Sequence, residues 1–157
     1  MVATPLDQER ARRASNDVRG VLQNMSPKRQ KEYRSLARDF PAMVQSMGLG
    51  QAMAFLLANA GKEDKPHGEF AKHVAEWLLD AKCTAVPLNV EPREQANGRT
   101  LLDKLVESAP HVWWHADSEA IAFGWWLKRF AEAEISDSKA NQGRKGSTPG
   151  ATPAQET

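Results

Sequence analysis

Apolar positions along the chain recur every three or four residues and never fall into the two-residue rhythm of a strand, which predicts an all-helical protein. From about Leu6 to Asn24, Ala11, Ala14, Val18, Val21 and Leu22, followed by Met25, form a thin apolar stripe beside a wide charged face, the profile of a helix at the edge of a bundle. Ser26-Pro27 then joins a capping serine to a proline at the first helical position, where the missing N–H costs nothing. Tyr33, Leu36, Phe40, Met43 or Val44, and Met47 define the buried stripe of the helix that follows. Pro41 interrupts that pattern and predicts a bend or restart near Phe40.

From Ala52 to Ala58 every residue is apolar, so this segment is predicted to be a core helix wrapped by its neighbours. It falls far short of the ~20 apolar residues that span a bilayer, and membrane insertion is not expected. Gly48 and Gly50 bracket Leu49 just before it, the signature of a sharp helix-turn-helix corner. A fourth helix is predicted from about Glu69 to Lys82, burying Phe70, Val74, Trp77, Leu78 and Ala81 and leaving Lys72, His73, Glu76 and Asp80 outside. Between Cys83 and Gly98 two prolines and no periodicity predict a long loop, a candidate contact segment. Thr100 to Asp103 resembles a capping box opening a short helix to about Ser108, with Leu101, Leu102, Leu105 and Val106 inward.

The last helix is predicted to be capped by Asp117 or Ser118, with Glu119 suited to its positive N-terminal dipole. Ala120, Phe123, Leu127 and Phe130 mark its buried face, with Trp126 at the border. Ser136 to Thr157 carries no large apolar residue and is predicted to be disordered. The patterns add up to one compact all-α bundle of about six helices over 1–135, with a disordered C-terminal tail over 136–157.

A length of 157 residues supports one domain with one ordinary core. The single cysteine, Cys83, excludes an internal disulfide and a multi-cysteine zinc site, and the first residues lack the apolar run of a secretion signal, so the cytoplasm is the expected compartment. A formal net charge of +1 conceals segregation: Met1 to Met47 carries nine basic and five acidic residues, whereas Gly48 to Ile135 carries nine basic and thirteen acidic ones. Lys31, Arg34 and Arg38 lie at i, i+3 and i+7 and form one basic row, either a solvated helix face or a contact for an anionic partner.

Little in the chain points to catalysis. His111 and His115 in HVWWH have the i, i+4 spacing of a helical metal pair, but Pro110 makes an extended or turn conformation equally compatible, and no third ligand is indicated. Cys83 has no activating neighbour and reads as a small core hydrophobe. Phosphate-binding glycine loops, nucleophile elbows and HExxH are absent, so no catalytic, cofactor or metal site is predicted. Adjacent indoles on a helix point apart, so one of Trp125 and Trp126 is expected at the core and the other near the surface beside Lys128 and Arg129, where it would pack against a loop, stack on a base or anchor a protein.

Three stretches, KEYRSLARDFPAMVQSMGLGQAMAFLLANAG (Lys31 to Gly61), HVAEWLLD (His73 to Asp80) and SEAIAFGWWLKRFAEAEI (Ser118 to Ile135), resemble in collinear order the small-subunit family of type III-B, or Cmr-type, CRISPR RNA-targeting effector complexes. The resemblance implies a small all-helical protein without catalytic activity that works in antiviral defence. Its partners would be the other subunits of a Cmr-type complex, copies of itself in a head-to-tail stack, and the guide RNA and target RNA. It makes Lys31, Arg34, Arg38, Lys128 and Arg129 the expected RNA-backbone contacts. HVWWH departs from the tyrosine-containing pattern expected there, and Gly124 stands where a large aliphatic residue is expected. A helical protein-protein adaptor without RNA contact is the alternative. A helix-turn-helix DNA binder ranks third, because the second helix of the GLG corner is too apolar to expose in a groove.

Overall fold

The computed structural model describes residues 5–62 and 64–137, and the disorder expected of the tail falls, beyond residue 137, outside them. Among the described residues there are five α-helices and no strands: α1 (Pro5–Asn24), α2 (Pro27–Asn59), α3 (His67–Leu78), α4 (Gly98–Glu107) and α5 (Pro110–Glu134), with one 3-10 turn at Arg93–Gln95. The count is five because the two predicted helices on either side of the GLG corner are halves of α2.

The one residue of α2 with non-helical dihedrals is Gly48 (φ 81°, ψ 161°), and not a residue near Phe40. Such a positive φ is costly for any residue with a Cβ, which fixes the corner at the glycine. Pro41 stays within helical geometry, buried against α5. Breaking the helix at Gly48 frees the N–H of Leu49, and Asp117 Oδ1 accepts it at 2.9 Å. Asp117 therefore caps the second half of α2 and not the last helix, which starts a full two turns earlier at Pro110. HVWWH is accordingly helical, with His111 and His115 both exposed; no group of three or more metal-ligating side chains occurs among the described residues.

The α2 and α5 helices run antiparallel and form the most extensive pairing. Two glycines let them approach. A Cβ on Gly124 would lie 2.9 Å from Phe40 Cδ1, and one on Gly50 would lie 2.8 Å from Trp113 Cζ3, both closer than side chains pack. The large aliphatic residue expected at 124 would collide with Phe40. The predicted wrapping of 52–58 is also corrected: Ala52, Met53 and Leu56 are core, while Ala54, Phe55 and Ala58 face outward, because α3 and α4 cover only one side of this half-helix. α2 is the one helix among the described residues long and apolar enough to cross a membrane, and it is spent on this core.

Three further elements differ from expectation. Glu119 does not serve the dipole of α5. It lies in mid-helix at 2 % exposure and accepts from Arg10 Nε (2.8 Å) and Nη2 (2.7 Å) of α1 and from Trp77 Nε1 (2.8 Å) of α3. α4 is capped by Asn97, whose side chain accepts from Thr100 N at 3.0 Å, while Asp103 pairs outward with Arg99. α3 stops at Leu78, before the predicted end, so Ala81 is exposed. The segment after it is tied down. Arg93 donates to the Leu79 and Glu76 carbonyls (2.6 and 2.8 Å), Val90 N donates to Leu79 O (2.9 Å), and Val86, Leu88, Val90 and Ala96 are buried. The predicted long loop is thus ordered as the C-terminal closure of α3. Asp80 joins it: burial opposes its charge, but the Lys82 N–H, Arg13 and Arg93 hold its carboxyl below the ordinary value. Cys83 is buried there, its thiol pushed up to about 12 by desolvation and then by Glu119, which leaves it an inert core residue.

Two titratable groups sit where α1, α2 and α3 meet. Asp17 Oδ2 is buried without a hydrogen bond, and desolvation, against the help of Arg13 and aided by Glu76, raises its carboxyl to about 8. His73 shares a 2.7 Å hydrogen bond with the buried Tyr33 hydroxyl, and burial, then Lys72, lowers its imidazole to about 4.

Removing Glu119 takes the two shortest acceptor contacts from the part-buried Arg10 guanidinium and leaves it only Asp7 at 3.3 Å. Glu119→Ala should cost about 3–5 kcal/mol in urea unfolding, whereas the apolar double replacement Arg10→Met with Glu119→Leu should recover much of it. A single-mutant loss below ~1 kcal/mol would show that the network is not what joins these helices. The folded protein also keeps the Asp17 proton up to about pH 8, whereas the unfolded chain releases it near the ordinary value of 3.8, so this group lowers stability as pH rises between those values. His73 acts in reverse, lowering stability as pH falls from 6.5 toward 4. Above pH 6.5 only the Asp17 slope remains of the two, and Asp17→Asn should gain stability over the parent by on the order of 1 kcal/mol per pH unit from pH 5 to 8. A difference independent of pH in thermal melts would refute the assignment.

Candidate nucleic-acid interface

Much of the basic excess of the N-terminal third is already paired within the molecule. Arg10 and Arg13 serve Glu119 and Asp80 at 2.7 Å each, Arg29 pairs with Glu69, and Lys28 pairs with Asp64 at 3.1 Å. Arg12 is held by Glu9 one turn away at 3.0 Å. Lys31 and Arg34, by contrast, make no ion pair among the described residues, and Arg34 Nε is buried without a hydrogen-bond partner. Arg38 is exposed, reaching Asp39 at 3.3 Å and Ser35 Oγ at 3.4 Å.

Helical spacing puts these three side chains on one face of α2, as predicted, and Lys31, Arg34, Ser35 and Arg38 line a cleft of about 200 Å³ together with Asp137 from beyond the end of α5. The antiparallel pairing determines what lies beside it. Gly48 faces Asp117, Phe40 faces Gly124, and the Lys31–Arg38 turns face the residues after α5. Lys128, one turn beyond Gly124 on the same side, and Arg129 next to it therefore belong to the same end of the molecule as the α2 row.

The paired tryptophans separate as helix geometry requires. Trp126 is half-buried, donates from Nε1 to Asp7 Oδ1 at 2.9 Å and stacks on Phe130. Trp125 is 42 % exposed, with Lys128 Nζ 4.8 Å and Arg129 Cζ 5.5 Å from its ring centre. Both cations thus rest on one indole, an arrangement that orders long side chains without neutralising them. Arg129 also reaches Glu132 at 3.5 Å, a weak surface pair.

The family model for the CRISPR-associated protein Cas_Cmr5 matches residues 6–134, nearly all of α1 through α5. The chain belongs to the Cmr5 family. As a Cmr5-family protein it is the small subunit of a type III-B CRISPR effector complex and associates with the other subunits of that complex. Its structure is similar to the crystal structure of a CRISPR-associated Cmr5 family protein from Thermus thermophilus, at 26% sequence identity and a TM-score of 0.61, covering 81% of this chain and 97% of that one. No curated protein matches it.

That the three bases share one face was legible from spacing alone; the expected exposure holds for Lys31 and Arg38, while Arg34 is half-buried. The internal use of Arg10 and Arg13 was not legible. Their partners lie 109 and 67 residues away, and only a surplus of arginine over what a thin amphipathic helix needs hints at them.

Proposed function

We propose that this subunit has a structural, non-catalytic role in the cytoplasm, lining the path of guide and target RNA with Lys31, Arg34, Arg38, Lys128 and Arg129 while copies stack head to tail. The observation that carries the reading is the basic row of Lys31, Arg34 and Arg38 along one cleft on α2, with Lys128 and Arg129 resting on Trp125 toward the same end of the antiparallel α5. Ammonium and guanidinium groups spaced one helical turn apart engage phosphates without reading bases, which suits a subunit that must accept every guide and every target. Stacking without closure requires two different, complementary faces on one molecule, and the basic end supplies one distinct face.

Reversing Arg34 and Arg38 to Glu in the reconstituted complex tests the RNA path. Both side chains lie off the apolar stripe, so folding and assembly should persist. Target-RNA affinity should fall equally for unrelated sequences, and two lost phosphate contacts should flatten the plot of log K against log salt by roughly 1.5. Unchanged affinity and slope in an intact complex would favour the protein-only adaptor. The isolated chain, incubated with labelled RNA and divalent metal, should leave the RNA whole. Cleavage that survives repurification and disappears with a point change in this chain would end the non-catalytic reading.

A further inference from the structure

A cavity of about 610 Å³ lies at the far end of the molecule from the basic row, between the GLG corner of α2, α4 and the first turns of α5. Its walls include Met47, Ala54, Leu102, Trp113 and Trp114, and Asp117 is the only charged residue lining it among the described residues. Trp114 is 71 % exposed and Met47 40 %, an unusual surface commitment for a tryptophan on a helix whose opposite side is packed into the core. Trp113 is fixed by its contact with Gly50, so its indole is a rigid wall. Asp117 Oδ1 is occupied by the Leu49 N–H, and Oδ2 makes no hydrogen bond among the described residues.

We propose that this cavity receives a lysine or arginine side chain from a neighbouring protein subunit of the effector complex. The three components of the site match the three parts of such a side chain. Met47, Ala54 and Leu102 suit its aliphatic stem, the indole faces attract its cationic head, and the open carboxylate oxygen of Asp117 accepts its N–H groups. A neutral apolar plug would fill the walls and leave a carboxylate desolvated without a partner, so the charge decides the occupant. An RNA strand is disfavoured for the same reason, since Asp117 would face phosphate. The exposed rim of Trp114 and Met47 offers the surrounding protein contact that a free small cation would leave uncovered. The proposal depends on membership of the complex and not on RNA contact.

Trp114→Ala and Asp117→Asn, made in the full chain, test it. Asparagine keeps an oxygen for the Leu49 N–H and removes only the charge, and Trp114 is too exposed to support the core, so both variants should melt within a few degrees of the parent. Each should bind the complex assembled from the other subunits at least tenfold more weakly. Raising salt should weaken the parent and narrow its advantage over Asp117→Asn, because the lost interaction is ionic. A photoreactive benzoylphenylalanine at position 114 should cross-link to a segment of another subunit that presents a lysine or arginine there. Parental affinity for Asp117→Asn, or a cross-link to RNA or to a second copy of this chain, would overturn the proposal. The Arg34 and Arg38 reversal is read on assembled complex, so the failure of either idea leaves the other measurable.

Discussion

The carboxylate of Glu119, almost sealed from solvent, is tolerable only because the Arg10 guanidinium of α1 and the Trp77 indole of α3 reach it together. Arg10 meets both oxygens, and Trp77 adds a third donor to one of them, so the desolvation cost is offset by directed bonds. α1 has only a thin apolar stripe and would bind weakly by burial alone. The polar clip, extended by Arg13 on Asp80 and by Trp126 on Asp7, fixes its angle and register on α5. Trp77 stacks on Phe123 beside the clip, so the network is continuous with the apolar core.

The α2–α5 pair solves a different problem, that of close approach. Gly124 and Gly50 remove side chains where Phe40 and Trp113 press in, and Gly48 turns the chain so that its second half can lie against α4. The cap on that second half comes from α5, not from its own sequence. The same contact therefore sets the corner, leaves one oxygen of Asp117 open to the cavity, and holds the first turns of α5 where both tryptophans flank it.

Helical class, the position of the corner and the basic row were readable in the sequence because each rests on local spacing or on a glycine with a local task. Boundaries that depend on distant partners were not. HVWWH looked ambiguous beside Pro110, yet proline is at home at the first helical position, and packing on Gly50 completes the helix. Asp117 and Glu119 looked like the start of a helix because acids cluster there, but both answer to distant groups, 68 residues away for Asp117 and 109 for Glu119. The loop after α3 lacked periodicity because its order comes from Arg93 grasping two carbonyls, a contact with no repeating signature.

The clip also bears on how the protein is made. Arg10 and Trp77 leave the ribosome long before Glu119, which lies 109 residues after the arginine. Until it emerges, Arg10 lacks its main acceptor and α1 is held ionically through Arg13 on Asp80, while Phe40 and Trp77 lack the α5 surface that completes their surroundings. Chains arrested or truncated before that point would expose apolar surface with nothing of their own to cover it, so nascent subunits depend on fast completion or on a chaperone more than a bundle of local contacts would.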